Sequence, residues 1–385
     1  MVGAVVLGAV VAACTHPGPG GGGGGHGRRD PVPGDEWVVE SPELHGMDPG
    51  VLDGARAYAF AEGMNTQGVV VVRDGVIVSE WYADGADATS WTASWSVAKS
   101  FTSALIGIAI EEGKIPSVDE PMTTYYPDWV GTDRAGITLR DVLHMSSGLD
   151  WTENYDPASI DESDIIQMVL FQPDQLAYAS SRPSLTAPGS EWNYSSGDTM
   201  LLSGVLEQAT GMPAHEYAED KLFEPLDMER AEWWRDAAGH TLTYCCLDTT
   251  SRGFARFGLL YLREGRWGRE RVVKRSWVRD SLEAAPAAPG QYGYQWWLGD
   301  VSGVPADLFA ARGHDGQYIY VIPSLDLVVV RNGTYVKDPG EPIADPNLFG
   351  KYPSDGLVPG KGTSPPARWS DTEFLGPIVA SITDP

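Results

Sequence analysis

The sequence predicts an α+β fold, and three observations carry that prediction. Strand-like runs gather near the two ends of the chain, at residues 68–81 and 291–331. Between them, residues 116–289 carry helical periodicity, tryptophans and long loops, with few β-branched runs. Trp95 to Gly113 is apolar on almost every side, as expected of a helix packed within a core. Together these imply one antiparallel sheet built from both chain ends, flanked by helices, with an inserted, mostly helical region. The expected domains are an α/β unit from residues 36–115 and 290–385, and a helical unit from 116–289.

In chain order, Met1 to Ala13 is apolar, rich in small residues and too short to span a bilayer. It ends in Val11-Ala12-Ala13-Cys14, which resembles the lipobox of bacterial lipoproteins, so residues 1–14 are expected to act as a signal peptide with Cys14 as the lipidated residue. Residues 15–35 turn to glycine and proline and read as a tether. The expected location is therefore exported, facing the periplasm or the cell exterior, with membrane contact only through that lipid anchor. Pro49–Ala61 has one apolar side and reads as a helix. Gly68–Val72 and Val76–Trp81 flank Asp74-Gly75, a hairpin signature. Helices are expected at Leu139–Met145, Leu201–Thr210 and Phe254–Leu262, and a solvated acidic surface at Asp156–Asp164. Tyr292–Leu298, Leu308–Arg312, Gln317–Ile322 and Leu325–Arg331 read as strands, and Asp371–Ile382 as a closing helix.

Composition excludes several functions. With 53 acidic against 27 basic residues, a net charge of −26 repels nucleic acid. No metal or cofactor is expected, because there is no C-x-x-C and the seven histidines are scattered. His215-Glu216 starts like a zinc-protease helix, but Glu219 stands where the second histidine belongs. No G-x-S-x-G elbow and no phosphate-binding Gly-Lys-[Ser/Thr] exists. Cys245 and Cys246 are adjacent, cannot bridge distant segments, and are expected as two buried thiols.

Chemistry concentrates at Ser96 and Lys99, the two residues that interrupt the apolar pattern where the central helix begins. Three apart, they share one face of the first turn. A lysine there stands at the wrong end of the helix dipole, and burying it is costly. A serine hydroxyl becomes a useful nucleophile only when a neighbour takes its proton. Lysine can do so if its pKa falls from about 10.4 towards roughly 7–8. Burial and the helix N-terminus push it that way.

The order of further segments resembles the serine β-lactamase and penicillin-binding-protein superfamily, in its class C-like branch of esterases, D-aminopeptidases and 6-aminohexanoate-dimer hydrolases. The S-x-x-K element is Ser96–Lys99; His144 to Leu149 resembles the H-x-[ST]-S-G-L segment; Tyr194-Ser195-Ser196 stands at the tyrosine motif; Gly313 to Gly316 stands at the K-T-G position. The resemblance implies a β-lactamase/transpeptidase-like fold and a hydrolase of small esters or amides working through an acyl-enzyme on Ser96. It implies Lys99 as base, with Tyr194, as phenol or phenolate, relaying a proton. Oxyanion donors would be the backbone N–H groups of Ser96 and Gln317. Trp95, Ser196, His314, Asp315, Gly316 and Trp296 would meet substrate, and Tyr155, Trp192 and Trp297 lie on segments that the family brings towards the site. Two departures matter. Ser196 replaces an asparagine, and His314-Asp315 replaces the lysine and threonine that meet a β-lactam carboxylate, which disfavours anionic substrates. The alternatives are a penicillin-recognising or other cell-surface binding protein with little turnover, and a true β-lactamase or DD-peptidase.

Overall fold

The computed structural model describes residues 32–156, 161–228, 230–299, 301–336, 361–362 and 368–383. Cys14, the signal segment and most of the tether lie outside the described residues.

Helix α1 (Pro49–Ala59) starts where the Asp48 carboxylate accepts from the N–H groups of Gly50 and Val51, with Pro49 at the first position. Strands β1 (Thr66–Arg73) and β2 (Val76–Tyr82) form the expected hairpin. Asp74 and Gly75 both take positive φ, 53° and 79°, as a two-residue type I′ turn requires. A short strand, β3 (Trp91–Ala93), leads through a 3₁₀ turn at Trp95–Val97 into α2 (Ala98–Glu111). All but two residues of α2 are buried, so it has no solvent face. Gly107 is needed there, because a Cβ would stand 2.4 Å from the Trp277 ring.

Next come α3 (Leu139–Leu143), closed at its start by a Thr138–Asp141 capping box, α4 (Asp164–Phe171) and α5 (Gln175–Ser181). The acidic stretch is not a solvated surface at its end. Asp164 opens α4, is buried, and accepts from Thr152 N–H and the Tyr178 hydroxyl beside Arg182. Helix α6 (Ser196–Thr210) begins five residues earlier than its apolar pattern, because the Ser195 hydroxyl caps it. Helix α7 (Ala214–Ala218) and strands β4 (Glu232–Trp233) and β5 (Leu247–Thr250) follow, and β5 pairs with both β3 and β4. Helix α8 (Ser251–Leu262), the ribbon β6 (Arg266–Trp267) and β7 (Glu270–Arg271), and α9 (Arg275–Ser281) complete the middle of the chain.

The last strands are β8 (Trp297–Leu298), β9 (Phe309–Gly313), β10 (Gln317–Ile322) and β11 (Leu327–Gly333), then β12 (Tyr335–Val336) paired with β13 (Lys361–Gly362), and finally α10 (Asp371–Ala380). The expected strand at Tyr292–Leu298 shrinks to its last two residues. Gln295, at φ 63°, turns the backbone to lodge its side chain against α3 and α6.

The main sheet is antiparallel, ordered β2-β1-β11-β10-β9-β8, so strands from the two chain ends lie side by side at its centre. Every residue of β1 is buried because both sheet faces are covered. One face carries Leu52, Ala55, Phe374 and Ile378 of α1 and α10. The other carries the larger core, with Phe101 of α2, Phe254 and Phe257 of α8, and the helical region. The fold is thus the mixed helix and antiparallel-sheet arrangement expected.

Cys245 and Cys246 are not two thiols: the structure joins them in a disulfide, with Cα atoms 3.7 Å apart. The connection needs no distant partner, and Cys246 takes a left-handed φ of 65°.

Candidate active site

The turn that carries Ser96 is held between two strand systems. Ser94 exchanges two hydrogen bonds with Leu247 of β5: its N–H donates to the Leu247 carbonyl at 2.8 Å, and its hydroxyl accepts from Leu247 N–H at 2.9 Å. On the other side, the end of β9 presses so close that a Cβ on Gly313 would meet the Ser94 carbonyl at 2.4 Å and Ser96 N at 3.1 Å. Trp95 between them sits at φ 41°, a left-handed conformation unusual for a bulky residue. That tight turn lifts Ser96 to a half-buried position while Lys99, one turn on, is 1% exposed.

Lys99 Nζ is 3.0 Å from Ser96 Oγ, 3.0 Å from Ser196 Oγ and 2.9 Å from the Tyr244 carbonyl oxygen. Burial lowers its pKa to about 8, opposed by the negative charge of Glu153. The Tyr194 phenol faces Ser96, and Lys99 Nζ lies 5.0 Å from the centre of its ring. Burial, followed by the Glu153 charge, pushes the Tyr194 phenol well above its usual value. It is therefore a protonated phenol and not a phenolate.

Tyr194 stacks on Trp297 at 5.5 Å between ring centres, and Trp192 packs edge-on against Trp297 at 6.0 Å, forming one aromatic wall. At the mouth, His314 lies between Trp95 and Tyr155, at 6.3 Å and 5.1 Å.

Several expected roles change. Gln317 is not free to serve an oxyanion: its N–H donates to the His314 carbonyl, closing a turn in which Asp315 and Gly316 take φ 57° and 78°. Its side-chain oxygen accepts instead from Asn332 and Gly333. Asp315 is buried and its carboxylate pairs with His314 Nδ1 at 2.9 Å, so it steadies the histidine and does not face substrate. Gly316 lies under Arg331, whose guanidinium donates to the carbonyls of Asp315 and Gly316. Trp296 is fully buried among Phe257, Tyr261 and Phe309; the turn at Gln295 sends it into the core and leaves Trp297 at the site. Ser196 is present in the site, as a partner of Lys99.

Sequence reasoning missed Glu153. Its carboxylate accepts from Ser196 N–H at 3.0 Å, Ser196 Oγ at 2.6 Å, Trp151 Nε1 at 2.6 Å and the Tyr155 hydroxyl. It lies in a stretch without periodicity, and its partner is 43 residues further on, so no local pattern marks it.

The β-lactamase family profile matches residues 55–346. A 6-aminohexanoate-dimer hydrolase from Paenarthrobacter ureafaciens is 28% identical over 290 residues, covering 69% of this chain and 72% of that protein. A D-aminopeptidase from Brucella ovis is 30% identical over 182 residues, 44% of this chain and 33% of that one. The structure of an octameric penicillin-binding protein homologue from Pyrococcus abyssi superposes with a TM-score of 0.58 at 21% identity, covering 75% and 74% of the two chains, which shows the shared fold. On the span of the family match, this chain belongs to the β-lactamase family.

Proposed function

We propose that the protein is a serine hydrolase that cleaves a small ester or amide through an acyl-enzyme on Ser96. The observation that carries the reading is the buried amine of Lys99 at 3.0 Å from Ser96 Oγ, with burial holding its pKa near the pH at which it works. Neutral Lys99 takes the Ser96 proton as the hydroxyl attacks the carbonyl carbon. The Tyr194 phenol gives its proton to the departing alcohol or amine and recovers one from protonated Lys99. Water then attacks the acyl-enzyme with the same groups in reverse roles. The Ser96 N–H serves the oxyanion. The second donor is not Gln317.

His314 stands where the family has a lysine, and Glu153 adds negative charge inside, so neutral or cationic substrates are favoured over a β-lactam carboxylate. The names of the relatives, a 6-aminohexanoate-dimer hydrolase and a D-aminopeptidase, support amides as substrates beside esters. Attachment to a membrane through a lipid on Cys14 belongs to the same proposal.

The test is hydrolysis of short-chain p-nitrophenyl esters, nitrocefin, a D-Ala-D-Ala peptide and the 6-aminohexanoate dimer, together with fluorophosphonate labelling. Ser96→Ala is expected to abolish turnover and labelling, and Lys99→Ala to come close to it. Wild-type turnover by Ser96→Ala overturns the assignment, and a wild-type protein that takes no label favours a binding protein.

A further inference from the structure

Glu153 has no part in the bond-breaking steps above, yet its carboxylate lies one hydroxyl away from the base. Its four partners all donate. The Ser196 hydroxyl has a single proton, and that proton points at Glu153 Oε1, 2.6 Å away. Towards Lys99 Nζ, 3.0 Å on its other side, Ser196 can therefore only accept. The Tyr244 carbonyl is likewise an acceptor only.

A neutral amine has two N–H bonds and one lone pair. With Tyr244 O and Ser196 Oγ taking the two N–H bonds, the lone pair is left facing the third neighbour, Ser96 Oγ. We infer that Glu153 is a positioning residue for the base: by committing the Ser196 proton, it aims the Lys99 lone pair at the nucleophile. The inference rests on the reading of Lys99 as base. When Lys99 has accepted the proton, its three N–H bonds match the same three oxygens, so nothing need move during proton transfer.

The other titratable groups around Lys99 do not compete for this role. Tyr155, Tyr194 and Tyr244 are all pushed above the usual phenol value, mainly by burial. Asp315 is turned to His314, and Asp198 of α6 accepts from Ser147. Glu153 is the charge that opposes the loss of the Lys99 proton.

Glu153→Gln separates these roles. Ser196 N–H and Trp151 Nε1 are donors only and share one carboxylate oxygen, so they fix the amide oxygen on their side. The amide nitrogen then faces Ser196 Oγ, donates to it, and turns the serine proton towards the Lys99 lone pair. The plateau of kcat for a p-nitrophenyl ester is expected to fall about 100-fold with KM within about threefold, the size of a general-base contribution. Because a negative charge has gone, the acidic limb of kcat/KM is expected to move to lower pH, which a purely structural role would not produce. Ser196→Ala deletes the relay but keeps the charge. Its plateau is expected to fall comparably with the limb in place, and the double variant to lose no more than either single one. Should Glu153→Gln fold poorly by circular dichroism, the Ser196→Ala plateau decides. A wild-type plateau in Ser196→Ala, an unmoved limb in Glu153→Gln, or losses that multiply in the double variant each overturn the inference. A wild-type protein that releases no p-nitrophenol overturns the hydrolase reading itself, and this inference with it; an active wild type matched by Glu153→Gln overturns this inference alone.

Discussion

Lys99 is charged in most proteins' surroundings and is here held where charge is costly. Its pKa of about 8 sets a rate profile: below that pH the amine is protonated and cannot act as base. kcat/KM is expected to rise about tenfold per pH unit up to about pH 8 and then level, measured with a p-nitrophenyl ester across pH 5–10. Asp198 makes a second prediction, on stability. Burial pushes its carboxyl up to about 7, despite the hydrogen bond from Ser147. A native pKa above the unfolded one means that the protonated carboxyl favours the fold. Its contribution is full below about pH 4 and is lost as pH rises through 7. Asp198→Asn is expected to remove a decline of about 3 kcal/mol between pH 5 and pH 8 in denaturant unfolding; an unchanged decline assigns it to other groups.

Among the elements, the most legible parts were those whose partners are close in sequence. Ser96 and Lys99 lie on one helical turn, and Asp74-Gly75 carries its own turn chemistry, so both could be read from a few adjacent letters. The tyrosine motif was placed by its order along the chain, and the structure brings Tyr194 to Ser96 as a phenol. What could not be read depended on a backbone reversal or a distant loop. One left-handed residue, Gln295, exchanges Trp296 for Trp297 at the site, and alternation alone cannot signal such a break. The turn at Asp315-Gly316 spends the Gln317 N–H in the same way. Gly313 is the element-level test. A Cβ there meets the Ser94 backbone at 2.4 Å and backbone cannot swing aside, so Gly313→Ala is expected to displace the turn that carries Ser96. Fluorophosphonate labelling should slow by at least about tenfold, with unfolding little changed; wild-type labelling would show that β9 yields instead.

Across the whole molecule, the two faces of the sheet divide the work. The face under α1 and α10 is a closed apolar layer, and the other face carries α2 with Lys99. Phe374→Ala, in the closed layer, is expected to cost about 3–5 kcal/mol of stability while leaving KM unchanged, read by denaturant unfolding beside ester kinetics. A changed KM would mean that the layers are coupled. The pairing of β1 with β11 sets Val70 beside Val330 at the sheet's centre, although almost the whole described chain separates them. Such a contact closes a very long loop and forms late. During synthesis the leading strands therefore wait for the last ones, and a ribosome-bound chain halted before Leu327 should remain protease-sensitive and unreactive at Ser96. Ser96 is made early and the strands that enclose it come last.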